Sequence, residues 1–102
     1  MSAERDFVGT IDKEGIAWGR FNRPDALNAF SDQMRDDMIA FLLRIENDPK
    51  VRCLVLQGTG KHFMAGGDVK SFVAQFDRTP EERRAHFEAA CHKMNQIIYL
   101  LR

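Results

Sequence analysis

The sequence predicts an α/β fold, and three observations carry the prediction. Val51 to Leu56 is a short apolar run closed by Gly58 and Gly60, which reads as a strand buried on both faces. A glycine-punctuated loop follows and ends in Gly66-Gly67-Asp68. Beyond it Val69, Phe72, Val73 and Phe76 fall at the i, i+3, i+4, i+7 spacing of a helix face. Buried strand, glycine loop and helix start, in that order, is where an α/β protein offers backbone N–H groups to a ligand.

The elements are justified in chain order. Phe7 to Asp12 alternates, with Phe7, Gly9 and Ile11 on one face and Val8 and Thr10 on the other. Ile16 to Phe21 is a second strand, and Lys13-Glu14-Gly15 joins the two as a hairpin whose left-handed position falls to Gly15. Trp18 is expected to pack on the sheet. Pro24 holds Arg23 extended, so Asn22 to Phe30 is a loop. Ser31 caps a helix whose stripe is Met34, Met38, Phe41, Leu42 and Ile45, and Asp48-Pro49 ends it. Thr79-Pro80-Glu81-Glu82 has the form of a capping box with proline in the first turn. Phe87, Cys91, Met94, Ile98 and Leu101 are expected to be the stripe of the helix that follows, and a stripe of that size needs a partner surface.

Composition narrows the function classes. A chain of 102 residues holds one domain. Fifteen basic and fifteen acidic residues cancel, so no net field favours nucleic acid or an anionic membrane. No apolar run reaches the length of a membrane span, and Met1 to Asp6 lacks a basic stretch leading into an apolar core. Cys53 and Cys91 are read as reduced core residues, which suits a cytoplasmic enzyme, and Cys91-His92 has no second pair at metal-ligand spacing. Lys61 and His62 are read as solvated loop residues.

The glycine loop is the candidate site. Glycine has no Cβ, so a substrate can come close to its N–H, and an N–H beside a pocket can stabilise charge developing on a carbonyl oxygen. Spacing alone also fits a plain turn in which Asp68 caps the next helix by accepting from an N–H two or three residues on.

The run Phe63-Met64-Ala65-Gly66-Gly67-Asp68-Val69-Lys70 resembles the signature loop of the crotonase (enoyl-CoA hydratase/isomerase) superfamily. Phe21-Asn22-Arg23-Pro24-Asp25-Ala26-Leu27-Asn28-Ala29-Phe30 resembles that family's other N-terminal motif. The likeness runs from about Val8 to Phe76, with the two motifs in the family's order. It implies an α/β, crotonase-like ββα spiral core, represented by its N-terminal part. It also implies that the Gly67 N–H is one half of an oxyanion hole. Ala26, Leu27, Ala65, Gly67, Asp68, Val69 and Lys70 would touch the coenzyme A portion of a thioester, and Phe72, Val73 and Phe76 would wall an acyl pocket. Arg23 could reach a phosphate, and Asn28 would stabilise its loop. The family's commonest residue at the Gly67 position is alanine, a departure that keeps the N–H.

In the family the second oxyanion donor, the acid/base carboxylates and the helices that complete the pocket and the trimer come later than Arg102. Residues 1–102 are therefore expected to be the N-terminal CoA-binding part of a longer crotonase-like domain, inactive on its own. The full-length form would process acyl-CoA thioesters as an enoyl-CoA hydratase/isomerase, with no permanent cofactor, no metal, and coenzyme A only as part of the substrate. Its partners would be an acyl-CoA thioester and copies of itself, as a trimer or dimer of trimers. A non-catalytic CoA-binding or assembly fragment is the alternative, and a small α/β domain without a ligand is a third reading.

Overall fold

The computed structural model describes residues 5–102, apart from the side chains of Ser71 and Phe72. Strand β1 (Phe7–Ile11) pairs antiparallel with β2 (Ile16–Phe21), and β2 pairs parallel with β3 (Cys53–Gly58). Asp12 makes the hairpin turn. Its carboxylate accepts from the Glu14 and Ile16 N–H groups and from the Trp18 indole, which fixes Trp18 against the sheet. The Trp18 bond first, and then the backbone bonds, hold the Asp12 carboxyl below the usual range. Gly15 has φ +87°, as its turn position requires.

A parallel partner requires a crossover, and helix α1 (Asp32–Glu46) supplies it. Ser31 caps α1 by accepting from the Met34 N–H. The register sets Phe7 beside Phe21, Gly9 beside Gly19, and Ala17 between Ile11 and Leu54, so one face of the sheet is continuously apolar or small. Met34, Met38, Phe41 and Leu42 of α1 close on that face, forming one core with Phe7, Ala17, Phe21, Phe30 and Ile97. Phe41 lies so close over Gly9 that a Cβ there would stand 2.3 Å from its ring.

Beyond the sheet come α2 (Val69–Ala74), a 3-10 turn (Gln75–Asp77) and α3 (Pro80–Leu101). The Thr79–Glu82 capping box is present in both directions. Helix α3 packs along α1, and Lys93 pairs with Asp36 at 2.7 Å.

Three expectations are corrected. The third strand is Cys53–Gly58 rather than Val51–Leu56, and it is not covered on both faces. Only Leu54 and Leu56 pack against the core, whereas Cys53 and Gln57 are exposed, so Cys53 is not a core residue. An unbroken apolar run reports what a strand tolerates, not how many layers surround it. On α3 the buried residue is Ile97, flanked by Met94 and Leu100, while Phe87, Ile98 and Leu101 are exposed. Helical spacing admits both stripes because Ile97 and Ile98 are neighbours, and packing on α1 selects the first. Finally, the expected face after Gly67 does not form a buried stripe. Val69 and Val73 are exposed on the short α2, Phe76 is exposed in the 3-10 turn, and the Phe72 side chain lies outside the described residues.

Candidate functional site

Two loops meet at the end of the sheet, and a buried asparagine joins them. Asn28 is fully buried. Its Oδ1 accepts from the Arg23 N–H at 2.8 Å, and its Nδ2 donates to the carbonyls of Thr59 and His62 at 3.0 and 2.7 Å. One side chain thus fixes its own loop and ties it to the loop after β3. Leu27 and Asn28 are both left-handed, at φ 55° and 58°. A leucine in that region costs about 1–2 kcal/mol, which the anchored Asn28 offsets. The strained turn leaves Leu27 half exposed at the surface, beside Ala26 in the 3-10 turn Pro24–Ala26.

The second joint is a one-residue parallel bridge between Phe30 and Gly67. The Phe30 N–H donates to the Gly66 carbonyl at 2.7 Å. In that pattern the peptide groups of Phe30 face the 66–68 segment, and the N–H of Gly67 points away from Phe30. Among the described residues it donates to no protein acceptor. Gly66 supplies the bend that makes this possible, at φ +105°.

Arg23 and Asp68 form the third joint. Arg23 donates to the Ala29 carbonyl at 2.6 Å and to Asp68 Oδ2 at 3.0 Å. It is mostly buried, so this guanidinium is neither solvated nor free to receive a phosphate. Asp68 also accepts from the Lys70 N–H with Oδ1 at 3.0 Å, the helix-capping bond expected of it. Burial works against its charge. The Arg23 hydrogen bond, the Lys70 N–H and the two positive charges outweigh burial and hold the carboxyl below the usual range. Asp68 is thus an ion-paired anion that ties its loop to Arg23.

A pH dependence follows. A carboxyl whose pKa is lowered by folding contributes stability above its unfolded pKa and loses it as pH falls through the folded value. The stability gap between the parent chain and Asp68→Asn should be constant above about pH 5 and close below about pH 4. Urea midpoints of both chains across that range check it. A gap that persists unchanged at low pH would show that the ion pair contributes nothing.

Ala65, Gly67, Val69 and Lys70 are all exposed on the same loop and helix start. Beside Asp68 opens a pocket of about 220 Å³ between the 3-10 turn and α3, with Phe76 and Phe87 as apolar walls. Val73 does not line it. The reading of the sequence missed Arg35, Gln75, Arg83 and His86, which also border it. Arg83, His86, Phe87 and Ala90 stand at i, i+3, i+4, i+7 on α3, so the helical period that found the other stripe contains this face as well. No group of three or more metal-binding side chains occurs among the described residues, and none of their helices is long and apolar enough to cross a membrane.

This arrangement, a small sheet with helices and two loops stitched together at its end, is shared with solved proteins of the crotonase fold. An enoyl-CoA hydratase of Mycobacterium smegmatis superposes with a TM-score of 0.81 at 26% identity, over 95% of this chain and 35% of its own. A 3-hydroxyisobutyryl-CoA hydrolase of Arabidopsis thaliana is 30% identical over 94% of this chain and 25% of its own length. The small ribosomal subunit protein mS47 of Schizosaccharomyces pombe is 31% identical over 82% of this chain and 20% of its own. The enoyl-CoA hydratase/isomerase family matches residues 12–100, and the chain belongs to that family. It spans about a quarter of the length of the curated relatives it matches.

Proposed function

We propose that this chain is the CoA-thioester-binding part of an acyl-CoA-processing enzyme of the hydratase/isomerase type. In this reading the Gly67 N–H polarises the thioester carbonyl and stabilises the enolate oxygen formed from it, a contribution of about 3–4 kcal/mol to the transition state. The observation that carries the reading is the Gly67 N–H itself. It is unpaired among the described residues, turned away from Phe30, and next in sequence to Asp68, which borders a pocket. Ala26, Leu27, Ala65, Val69 and Lys70 would contact the coenzyme A portion, with Lys70 the exposed cation nearest the oxyanion loop in sequence. Phe76 would wall the acyl group. Asp68 would act through its ion pair with Arg23, which sets the loop. A homotrimer is the assembly proposed for the full-length form.

The acid/base carboxylates are to be sought outside this site. Asp68 is the one carboxylate among the described lining residues, and it is ion-paired. The purified 102-residue chain should therefore not hydrate crotonyl-CoA at an enzymatic rate, although a CoA thioester should bind. Calorimetric titration with crotonyl-CoA, run beside a hydration assay, checks both halves. Enzymatic turnover would overturn the placing of those carboxylates outside this site, and absence of binding would overturn the CoA site. The same pairing of Asp68 favours a second reading, a non-catalytic CoA-binding or assembly segment. It predicts binding without turnover even when the segment is placed in its longer chain.

A further inference from the structure

The pocket beside Asp68 has polar groups that the described residues do not satisfy. Among those residues Arg35 Nε and Gln75 Oε1 are both buried without a hydrogen-bond partner, and both residues border this one cavity. Arg35 is held in place from two sides. Its Nη1 pairs with Asp32 at 3.0 Å, and its guanidinium lies 5.8 Å from the centre of the Phe30 ring. That leaves the Nε edge committed to nothing. Buried groups of this kind ordinarily find a partner, so an orphan donor in a cavity wall marks a place for a ligand atom.

The charge of the wall says which atom. Arg35 and Arg83 border the cavity, and His86 stands one turn from Arg83 on α3. The acid there is Asp68, already neutralised by Arg23. Among the described residues no carboxylate pairs with Arg83. The remainder of the wall, Phe76, Phe87 and Ala90, is apolar. A purely aliphatic acyl chain would satisfy that apolar part and leave the buried Nε of Arg35 without a partner. A chain with a carboxylate at its far end fills both.

We infer that this pocket selects acyl thioesters whose acyl chain ends in a carboxylate. Arg83 and the free Nε edge of Arg35 would receive the carboxylate, and Phe76 and Phe87 would flank the methylenes. The inference rests on the proposed CoA-thioester function. It deepens that reading from acyl-CoA in general to a dicarboxylic monothioester. Gln75 can present either end of its amide to the same group, since the two ends are assigned from the hydrogen-bond network.

The test is calorimetric titration of the intact chain with glutaryl-CoA, hexanoyl-CoA and free coenzyme A, repeated with Arg83→Gln. Arg83 is exposed on a helix surface, so its replacement is expected to leave the circular dichroism unchanged. A charge-assisted pair at a partly exposed site should make glutaryl-CoA bind about tenfold tighter than hexanoyl-CoA. Arg83→Gln should remove most of that preference while leaving hexanoyl-CoA and free coenzyme A unchanged. Equal binding of the two thioesters would overturn the inference and leave the CoA reading standing. A loss of free coenzyme A binding in Arg83→Gln equal to the loss of glutaryl-CoA binding would also overturn it, by assigning the cation to the nucleotide phosphates. If none of the three ligands binds, the CoA reading itself falls, and this inference with it.

Discussion

Gly67→Pro should lower kcat by roughly 10²–10³ in a full-length enzyme carrying this segment, with a much smaller loss of CoA affinity. Proline deletes the N–H and fixes φ near −65°. The bond that anchors the bridge runs from the Phe30 N–H to the Gly66 carbonyl, so the lost donor is not the one that holds the loop. The nucleotide end would keep Ala26, Leu27 and the 68–70 segment. Gly67→Ala should be close to neutral, because alanine keeps the donor. The left-handed glycines among the described residues are Gly15, Gly60 and Gly66, and Gly67 is not one of them. Gly66→Ala is the internal contrast, since it forces a Cβ into φ +105° and should cost about 1–3 kcal/mol of loop stability. Steady-state kinetics on crotonyl-CoA or another accepted enoyl-CoA, with circular dichroism as the folding control, decides the matter. A folded Gly67→Pro enzyme with near-parent kcat would remove Gly67 from the oxyanion hole.

Asn28→Ala should have the largest effect on stability, about 3–5 kcal/mol. The substitution leaves the carbonyls of Thr59 and His62 and the N–H of Arg23 without the partner that the buried Asn28 side chain provides. A buried polar group left unsatisfied costs about 1–3 kcal/mol. Alanine is also poorly suited to the left-handed backbone that Asn28 holds at φ 58°. Asn28→Asp tests the donors separately, since it keeps the acceptor for Arg23 and turns two donated bonds into repulsions between oxygens. Equilibrium urea unfolding reads both. A loss below about 1 kcal/mol in Asn28→Ala would mean that water replaces the side chain and that the two loops are held together by other contacts. Because Asn28 joins the loops, thioester affinity should fall in the same variants even under conditions where they remain folded.

Much of this architecture was legible as local chemistry. Ser31 before an apolar-periodic run, the Thr79–Glu82 box and the Asp68 cap are all contacts closed within four residues, and so is the Lys13–Gly15 hairpin turn, although the Asp12 carboxylate that holds it was read as the end of the strand. Neighbours so near in sequence must meet whatever the remainder of the chain does. The role of Asn28 as a loop stabiliser was expected as well, although its partners were not. Gly67 and its neighbours were recognised through two motifs whose order and spacing match a family. Their functional roles rest on that likeness together with the geometry now described.

By itself, then, the sequence determined the strands, the helix starts, the α/β class and the family, because those depend on periodicity, capping residues and motif order. Only the tertiary structure decided which side of each element is used. It selected Ile97 over Ile98, covered one face of β3 and left Cys53 outside. It paired Arg23 with Asp68 across 45 positions, and Asn28 with Thr59 and His62 across 31 and 34. It also brought Arg35 of α1 to the same cavity as Arg83 of α3. The physical reason is common to all of these. A helix or strand with apolar residues on adjacent faces is locally indifferent to rotation, and a charged side chain has no local preference among distant partners. The path of the chain chooses, by burying one face at the expense of the other and by leaving certain polar groups with a single partner in reach.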